Sequence, residues 1–321
     1  MELPAALREA VNRALDGVPA SDLAQAASAL SQRYRAETHD GRYHVSSDLA
    51  ARAYLATRLP ATFAAVRAAM ALAAEIRPDF APASLLDVGA GPGTALWAAM
   101  ECWPDIASAD MVEGSPAMRN WGETLAREAH LPQVAWHGGE AVAELSKQSP
   151  HDLVTLAYVL SELSPDAQDK LVGKLWALTG DTLLIVEPGT PAGWSRILRA
   201  RDILIRDGAH IVAPCPHALA CPLTASDWCH FARRVTRSRI HRLAKGAEMP
   251  WEDEKYIYIA VSRHSVQTPH ARIIAPPQQA SGRVTLKLCQ QDGSSTPRLV
   301  TRREGEDYKI ARRLEWGDAL R

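Results

Sequence analysis

The run L-L-D-V-G-A-G-P-G-T, residues 85–94, sets three glycines at G-x-G-x-G spacing directly after a short apolar stretch and directly before a helical pattern. Glycine tolerates positive φ and lets a ligand approach the backbone where a Cβ would collide. Gly89, Gly91 and Gly93 therefore read as a ligand-facing turn between S-L-L-D-V, a strand, and T-A-L-W-A-A-M, a helix opened by Thr94. Asp87 stands at the strand end, and Glu113 closes the next strand, A-D-M-V-E. An acid at that second position can accept hydrogen bonds from ribose hydroxyls. Outward from this turn, Q-V-A-W-H, D-L-V-T-L-A-Y and T-L-L-I-V-E continue the alternation of strand and helix. Such alternation predicts an α/β fold, a doubly wound and mostly parallel sheet with helices on both faces.

Two cofactor classes compete for the turn. Nicotinamide proteins favour G-x-G-x-x-G, which sets a pyrophosphate on a helix N-terminus. Here the spacing is shorter, and Asp87 would repel a phosphate but suit a cationic amino-acid ligand. D-V-G-A-G-P-G-T resembles the first motif of class I S-adenosylmethionine-dependent methyltransferases. That resemblance implies that Gly89, Gly91, Gly93 and Thr94 hold the methionine moiety, with Asp87 and Glu113 as anionic acceptors. The Asn/Asp-Pro-Pro-aromatic motif of many nucleobase-N methyltransferases is absent after the fourth strand, where L-A-Y-V-L-S-E-L stands at 156–163. No cysteine of the cytosine-C5 type lies near the fourth or fifth strand. Tyr158, Ser161 and Glu162 could line a pocket there, Tyr158 and Glu162 being the catalytic candidates. An ordinary strand-to-helix turn explains them equally well.

The chain has 321 residues, enough for a large core and an accessory region. Residues 1–80 read as helices, with Ser46, Ser47 and Asp48 capping one long helix toward Glu75. The cofactor-binding core is expected over 81–206, a cysteine-rich basic insertion over 207–246, a strand returning to the sheet over 247–263, and a small β tail over 264–321. Glu2, Glu9 and Asp16 interrupt the N-terminal apolar residues, unlike a signal or transit peptide. No run reaches the roughly 18 apolar residues of a membrane span. These features point to a cytoplasmic protein, off the membrane and monomeric, with its thiols reduced.

Charge is divided. Residues 1–195 hold 24 acidic and 14 basic side chains, a balance of −10, and residues 196–321 hold 13 and 22, a balance of +9. Ten basic residues lie within 196–246 against Asp202, Asp207 and Asp227. The densest run, Arg233-Arg234-V-T-Arg237-S-Arg239-I-H-Arg242-L-A-Lys245, suggests a face for a polyanion such as RNA. A solvated face balanced by the acidic half explains the charge alone equally well.

That run follows C-P-H-A-L-A-C-P-L-T-A-S-D-W-C-H-F, residues 215–231, which groups Cys215, Cys221 and Cys229 in a chain with five cysteines. Their C-x5-C-x7-C spacing is wider than the close pairs of structural zinc sites. It fits an iron–sulfur cluster better, with Cys289 of R-V-T-L-K-L-C as the fourth ligand. His217 and His230 keep zinc open, and buried apolar cysteines are the plain alternative. Cys102, on an apolar helix, reads as core.

The cysteine block makes a second resemblance specific. I-V-E-P-G-T-P (185–191), G-A-H-I-V-A-P-C-P-H (208–217), D-W-C-H-F (227–231) and E-D-E-K-Y (252–256) resemble the methyltransferase-like small-ribosomal-subunit proteins of mitochondria and their bacterial relatives. The likeness takes in Y-L-A-T-R-L-P-A-T-F upstream and L-K-L-C and W-G-D downstream, about residues 50–318. It implies a [4Fe–4S] cluster on Cys215, Cys221, Cys229 and Cys289, S-adenosylmethionine as cofactor, and the small ribosomal subunit or its rRNA as partner. Two functions follow from it as expectations: a methyltransferase acting on small-subunit rRNA, or an RNA-binding assembly factor that keeps the fold without catalysis. A zinc-containing small-molecule methyltransferase is the remaining alternative.

Overall fold

The structure, a computed structural model, describes residues 1–37, 43–127, 133–224 and 226–320. Four helices come first: α1 (Ala5–Leu15), α2 (Ala20–Arg35), α3 (Asp48–Thr57) and α4 (Leu59–Ile76). Ser47 caps α3, its hydroxyl accepting from Ala50 N at 3.2 Å. The single helix expected toward Glu75 is in fact two. It breaks at Arg58, because Pro60 lies in the next first turn and its ring cannot sit within a continuous helix. Helix α4 also corrects the expectation on apolar runs: it is long and apolar enough to cross a membrane by composition. It is a core helix nonetheless. It carries Arg67, and twelve of its residues, including Phe63, Val66 and Met70, are buried.

The alternating stretch gives β1 (Ser84–Val88), α5 (Thr94–Cys102), β2 (Ser108–Val112), α6 (Pro116–Ala126), β3 (Gln133–His137), α7 (Ala141–Leu145), β4 (His151–Ala157), α8 (Pro165–Ala177), β5 (Thr179–Pro188) and α9 (Pro191–Arg206). Then come β6 (His210–Ala213), β7 (Phe231–Thr236), α10 (Arg239–Lys245) and β8 (Trp251–Ser262). The main sheet runs β3-β2-β1-β4-β5-β8-β6, with β7 also paired to β8. Strands β1 to β5 are parallel to their neighbours, whereas β8 runs antiparallel to β5. A doubly wound parallel sheet closed by one reversed strand is the arrangement of class I methyltransferases. Strands β1 and β4 are apolar throughout apart from Asp87, His151, Asp152, Thr155 and Ser84, as befits strands covered on both faces.

The segment 207–246 is less separate than an insertion would be. Its β6 pairs with the end of β8, and its β7 pairs with the start, Phe231 opposite Tyr256 through Thr236 opposite Trp251. The tail forms a second sheet of β9 (Ala271–Ile273), β10 (Gln278–Ala280), β11 (Arg283–Gln290), β12 (Ser295–Thr301) and β13 (Ala319–Leu320), beside α11 (Glu306–Ala311). R-V-T-L-K-L-C alternates with period two, which sends Val284, Leu286 and Leu288 into a small core with Ile273 and Val300. A second, larger core lies between the main sheet and its helices.

Candidate functional site

In a doubly wound sheet, the chain crosses to opposite faces where the strand order reverses, leaving a crevice at the strands' carboxyl ends. Here that point lies between β1 and β4, and a cavity of about 330 Å³ opens there. Gly89 and Gly91 of the glycine turn line its floor, whereas Asp87, Gly93 and Thr94 of the same stretch do not line it. Gly89, Gly91 and Gly93 have φ of +67°, +56° and +82°, and a Cβ on Gly89 would stand 2.3 Å from Val159 Cγ2. Gly89 N and Ala90 N donate to Val112 O at 2.8 and 3.1 Å, which ties the turn to β2. Thr94 is buried at the start of α5, its hydroxyl without a protein partner.

Carboxylates surround this floor. Glu113 accepts from Gly91 N and Ser115 N, both at 2.7 Å, so each oxygen is already oriented by backbone. Burial raises its pKa, against those two hydrogen bonds. Asp87 is buried at the end of β1. One oxygen accepts from Thr155 at 2.7 Å, and the other has no partner. Burial pushes Asp87 up to about 7. Glu162 also rises to about 7, through burial and then the nearby charges of Glu113 and Glu187. His44 Nε2 stands 3.7 Å from it. Tyr158 holds φ of +62°, uncommon for a bulky side chain, and such strain persists only where surroundings over-determine it. Its hydroxyl donates to Glu254 of β8 at 2.9 Å.

The roof of the cavity comes from the N-terminal helices, a contribution absent from the sequence reading. Tyr34, His44, Tyr54 and Arg58 all line it. Arg58 lies over the Tyr34 ring at 5.8 Å and 3.9 Å from Glu254. At the rim, fully buried Glu187 accepts from Arg196 Nε at 2.8 Å, while the same guanidinium reaches Glu37 at 3.0 Å. Tyr54 and Arg58 fall in Y-L-A-T-R-L-P, so the family likeness was the one available signal.

The four expected cysteines, three from the 215–229 loop and Cys289 from β11, line one second cavity of about 30 Å³ with His217, Arg201 and Tyr258. Cys289 Sγ lies 3.4 Å from His217 Nε2. Burial raises Cys215, pushes Cys289 up to about 12, and raises Cys229 well above the ordinary value, where the neighbouring Cys215, Cys289 and Cys221 add to the rise. Among the described residues, no three His, Cys, Asp or Glu side chains converge as a single metal ion requires. His230 turns away and stacks on Trp228. Cys102 sits apart on α5, pushed to about 11 by burial.

The basic run does not form one free cationic face. Arg234 makes a two-pronged pair with Asp253, at 2.9 and 3.0 Å. Arg237 and Lys245 both bind Glu252 at 2.8 Å, and Arg233 is half-buried on β7. Arg239 is exposed and Arg242 half-buried. Arg196, Arg199 and Arg201 of the wider basic set are spent on Glu187, Asp169 and backbone carbonyls. The acids that balance the run lie in W-E-D-E, the strand that pairs beside it, which a count restricted to 196–246 leaves out.

Known proteins resemble this chain along most of its length. Human ribosome assembly protein METTL17, mitochondrial, is 32% identical over 288 residues, covering 83% of this chain and 61% of that protein. Rsm22-cox11 tandem protein 2, mitochondrial, of Schizosaccharomyces pombe is 25% identical over 285 residues, covering 73% of this chain and 38% of that protein. The chain thus spans less than two thirds of the length of either relative. Solved structures match more distantly. The Synechocystis magnesium protoporphyrin IX methyltransferase with bound SAM has a TM-score of 0.42 at 14% identity, covering 73% of this chain and 91% of that one. An O-methyltransferase family protein from Burkholderia thailandensis has 0.44 at 13%, covering 73% and 63%. Likeness at that level says nothing of what this chain binds. The cytoplasmic placement expected from Glu2, Glu9 and Asp16 is corrected, because the family and these relatives bear mitochondrial designations. A compartment is an address read by receptors, and a few acids among apolar residues do not determine it. Residues 48–321 match the profile described as mitochondrial small ribosomal subunit Rsm22, and the chain belongs to that family.

Proposed function

We propose that this chain binds S-adenosylmethionine in the cavity above the glycine turn and serves the small ribosomal subunit, as an assembly factor that methylates its rRNA. The observation that carries the cofactor is the pairing of an open glycine turn with Glu113 and Glu162 on the wall of one cavity. Asp87, Glu113 and Glu162 suit a ligand bearing an ammonium and a sulfonium. Gly89, Gly91 and Gly93 give it backbone clearance, Thr94 offers an unpartnered hydroxyl, and Glu113 offers its remaining lone pairs to the ribose. The bound cofactor supplies an electrophilic methyl group. Glu162, with a pKa near neutrality, is the residue suited to take the acceptor's proton, and Tyr158 is held rigidly beside it by Glu254. Calorimetry on the purified chain tests this reading: no heat with S-adenosylmethionine at any pH between 6 and 8 would sink it.

A second reading, a factor that keeps the cofactor without turning it over, is favoured by the Tyr158 hydroxyl being committed to Glu254. The two part on one measurement. Small-subunit rRNA from a deletion strain lacks a methyl mark that the purified chain restores only if the first is right.

The cysteine cavity fits a [4Fe–4S] cluster on Cys215, Cys221, Cys229 and Cys289. Four thiols face one apolar space, and the donors around it lack acceptors: Arg201 Nε, His217 Nδ1 and the Tyr258 hydroxyl have no protein partner. Thiolates and sulfides accept hydrogen bonds, so such a group satisfies what the protein leaves open. The bound cluster would cross-link the 215–229 loop to the tail. Iron and sulfide in near-equal amounts in anaerobically purified protein are the expected result. The partner is rRNA, met by the surface of Arg233, Arg234, Arg237, Arg239, Arg242 and Lys245. With three of these in ion pairs, contact with phosphate competes with Glu252 and Asp253. Binding should therefore weaken steeply with salt.

A further inference from the structure

We propose that Arg201 and Arg272 are the buried counter-charges of the cysteine site, and that with Tyr258 they set its charge and its potential. The proposal rests on the reading of that site as a cluster site. Arg201 and Arg272 are among the largest fully buried side chains, 2% and 1% exposed. A buried guanidinium is costly unless paired with an acid, yet neither is paired with a buried one. Arg201 donates to the carbonyls of His217 at 3.0 Å and Leu219 at 2.6 Å. Its nearest carboxylate, Asp202, is 3.4 Å away and 74% exposed. Arg272 of β9 donates to Pro214 O and Gly317 O, both at 2.8 Å, and one terminal nitrogen has no partner.

Both guanidiniums instead face the cysteines. Arg201 lines the cavity together with all four cysteines, and Arg272 holds the carbonyl of Pro214, the residue before Cys215, so both charges stand near the Cys215 thiol. They come from different parts of the chain: Arg201 from α9, Arg272 from β9 of the tail. Four thiolates around an oxidised [4Fe–4S] core leave two negative charges, and two guanidiniums cancel them. Tyr258, fully buried on β8, adds a hydroxyl donor with no protein acceptor. Cations and donors close to a cluster favour its more negative, reduced form and so raise its potential. These are positioning residues and do not ligate the group.

The test uses the full chain, purified anaerobically, as wild type and as Tyr258→Phe, Arg201→Met, Arg272→Met and Arg272→Lys. Circular dichroism and S-adenosylmethionine calorimetry check that each variant is folded. The readouts are iron and sulfide per chain, the rate of iron loss to a chelator, and the midpoint potential. The expected result is loss about 10- to 100-fold faster in both Met variants, the range found when outer-layer partners are removed. Their remaining cluster should have a more negative potential, and Arg272→Lys should stay near wild type in both. Tyr258→Phe, the mildest change, should keep its iron and shift the potential in the same direction. Met variants that match wild type overturn the proposal. So does a Lys variant as labile as Met, since the role would then lie in the bonds to Pro214 O and Gly317 O. If wild type takes up zinc but no iron, the cluster reading falls. The counter-charges then stand if the Met variants bind zinc at least about tenfold more weakly, and fall if they do not. A wild type that takes up neither overturns both.

Discussion

The cavity above the glycine turn is walled by carboxyl groups, whereas the cysteine cavity is flanked by guanidiniums; helix α9 lines the second and reaches the wall of the first through the Arg196–Glu37 pair. Arg196 closes the rim of the first against Glu187 and Glu37. Arg201, little more than one turn further on, reaches the second. Burying acids costs least when they hold protons or meet a cation, and burying guanidiniums costs least beside an anion. The contrast teaches that each cavity is prepared for a ligand of opposite charge. The means differ too. Backbone conformation within a short stretch of chain makes the floor of the first, and side chains brought together by tertiary folding make the second.

The largest expected effect falls on the backbone-built cavity. Gly89→Val adds a Cβ within 2.3 Å of Val159 at a φ of +67°, strain of about 1–3 kcal/mol before any clash. S-adenosylmethionine heat should vanish in calorimetry and the melting temperature should fall, while iron content stays normal. Loss of iron together with cofactor binding would show that the two cavities are not independent.

Next comes the side-chain-built cavity. Cys289→Ser removes the one cysteine that the tail contributes, and should abolish iron retention and expose residues beyond about 264 to protease. Cys102→Ser should do neither. Equal lability of the two variants would return the cysteine cavity to ordinary core.

The third test is pH. Asp87 has a folded pKa of about 7, above the unfolded value of about 3.9. Its folded form thus holds a proton that the unfolded form releases. The stabilisation is complete below pH about 4 and is lost as pH rises to about 7, at roughly 1 kcal/mol per unit. Asp87→Asn lacks this loss, so thermal melts of ligand-free protein should show the variant gaining on wild type across that window and levelling above it. A cationic ligand should bind wild type more tightly at pH 8 than at pH 6. Affinity independent of pH would remove Asp87 and Glu162 from the site.

The smallest effect concerns the surface. Arg234→Glu breaks a pair between two exposed side chains, 63% and 46% open to water, so the melting temperature should hardly move. Affinity for a small-subunit rRNA fragment should fall severalfold at low salt, with cofactor binding unchanged. Equal RNA binding by variant and wild type would take Arg234 out of the interface.

Much of this was legible because it is local. Period-two runs, the glycine spacing and Ser115-Pro116 at a helix start depend on neighbours a few residues away, so the succession of strands and helices and the glycine turn could be read directly. The cysteines were legible by their number and spacing. Less legible were the break at Arg58, the two strands within 207–246, and the neutralised basic run. Pro60, β8 as a shared partner, and Glu252 with Asp253 decide these three outcomes, and none of them shows in the pattern of the stretch it overrides.

By itself, then, the sequence determined the doubly wound sheet, the glycine turn with its flanking acids, and the set of thiols, since backbone conformation and residue chemistry are properties of short segments. Only the tertiary structure decided which groups face one another. It roofed the cofactor cavity with Tyr34, His44, Tyr54 and Arg58, spent Arg234, Arg237 and Lys245 on acids of β8, and buried Arg201 and Arg272 beside the cysteines. The physical reason is that charge acts through space and burial. A guanidinium reads the same in any sequence, and its role is set by whether folding leaves it water, a carboxylate or a cluster of thiols as its partner.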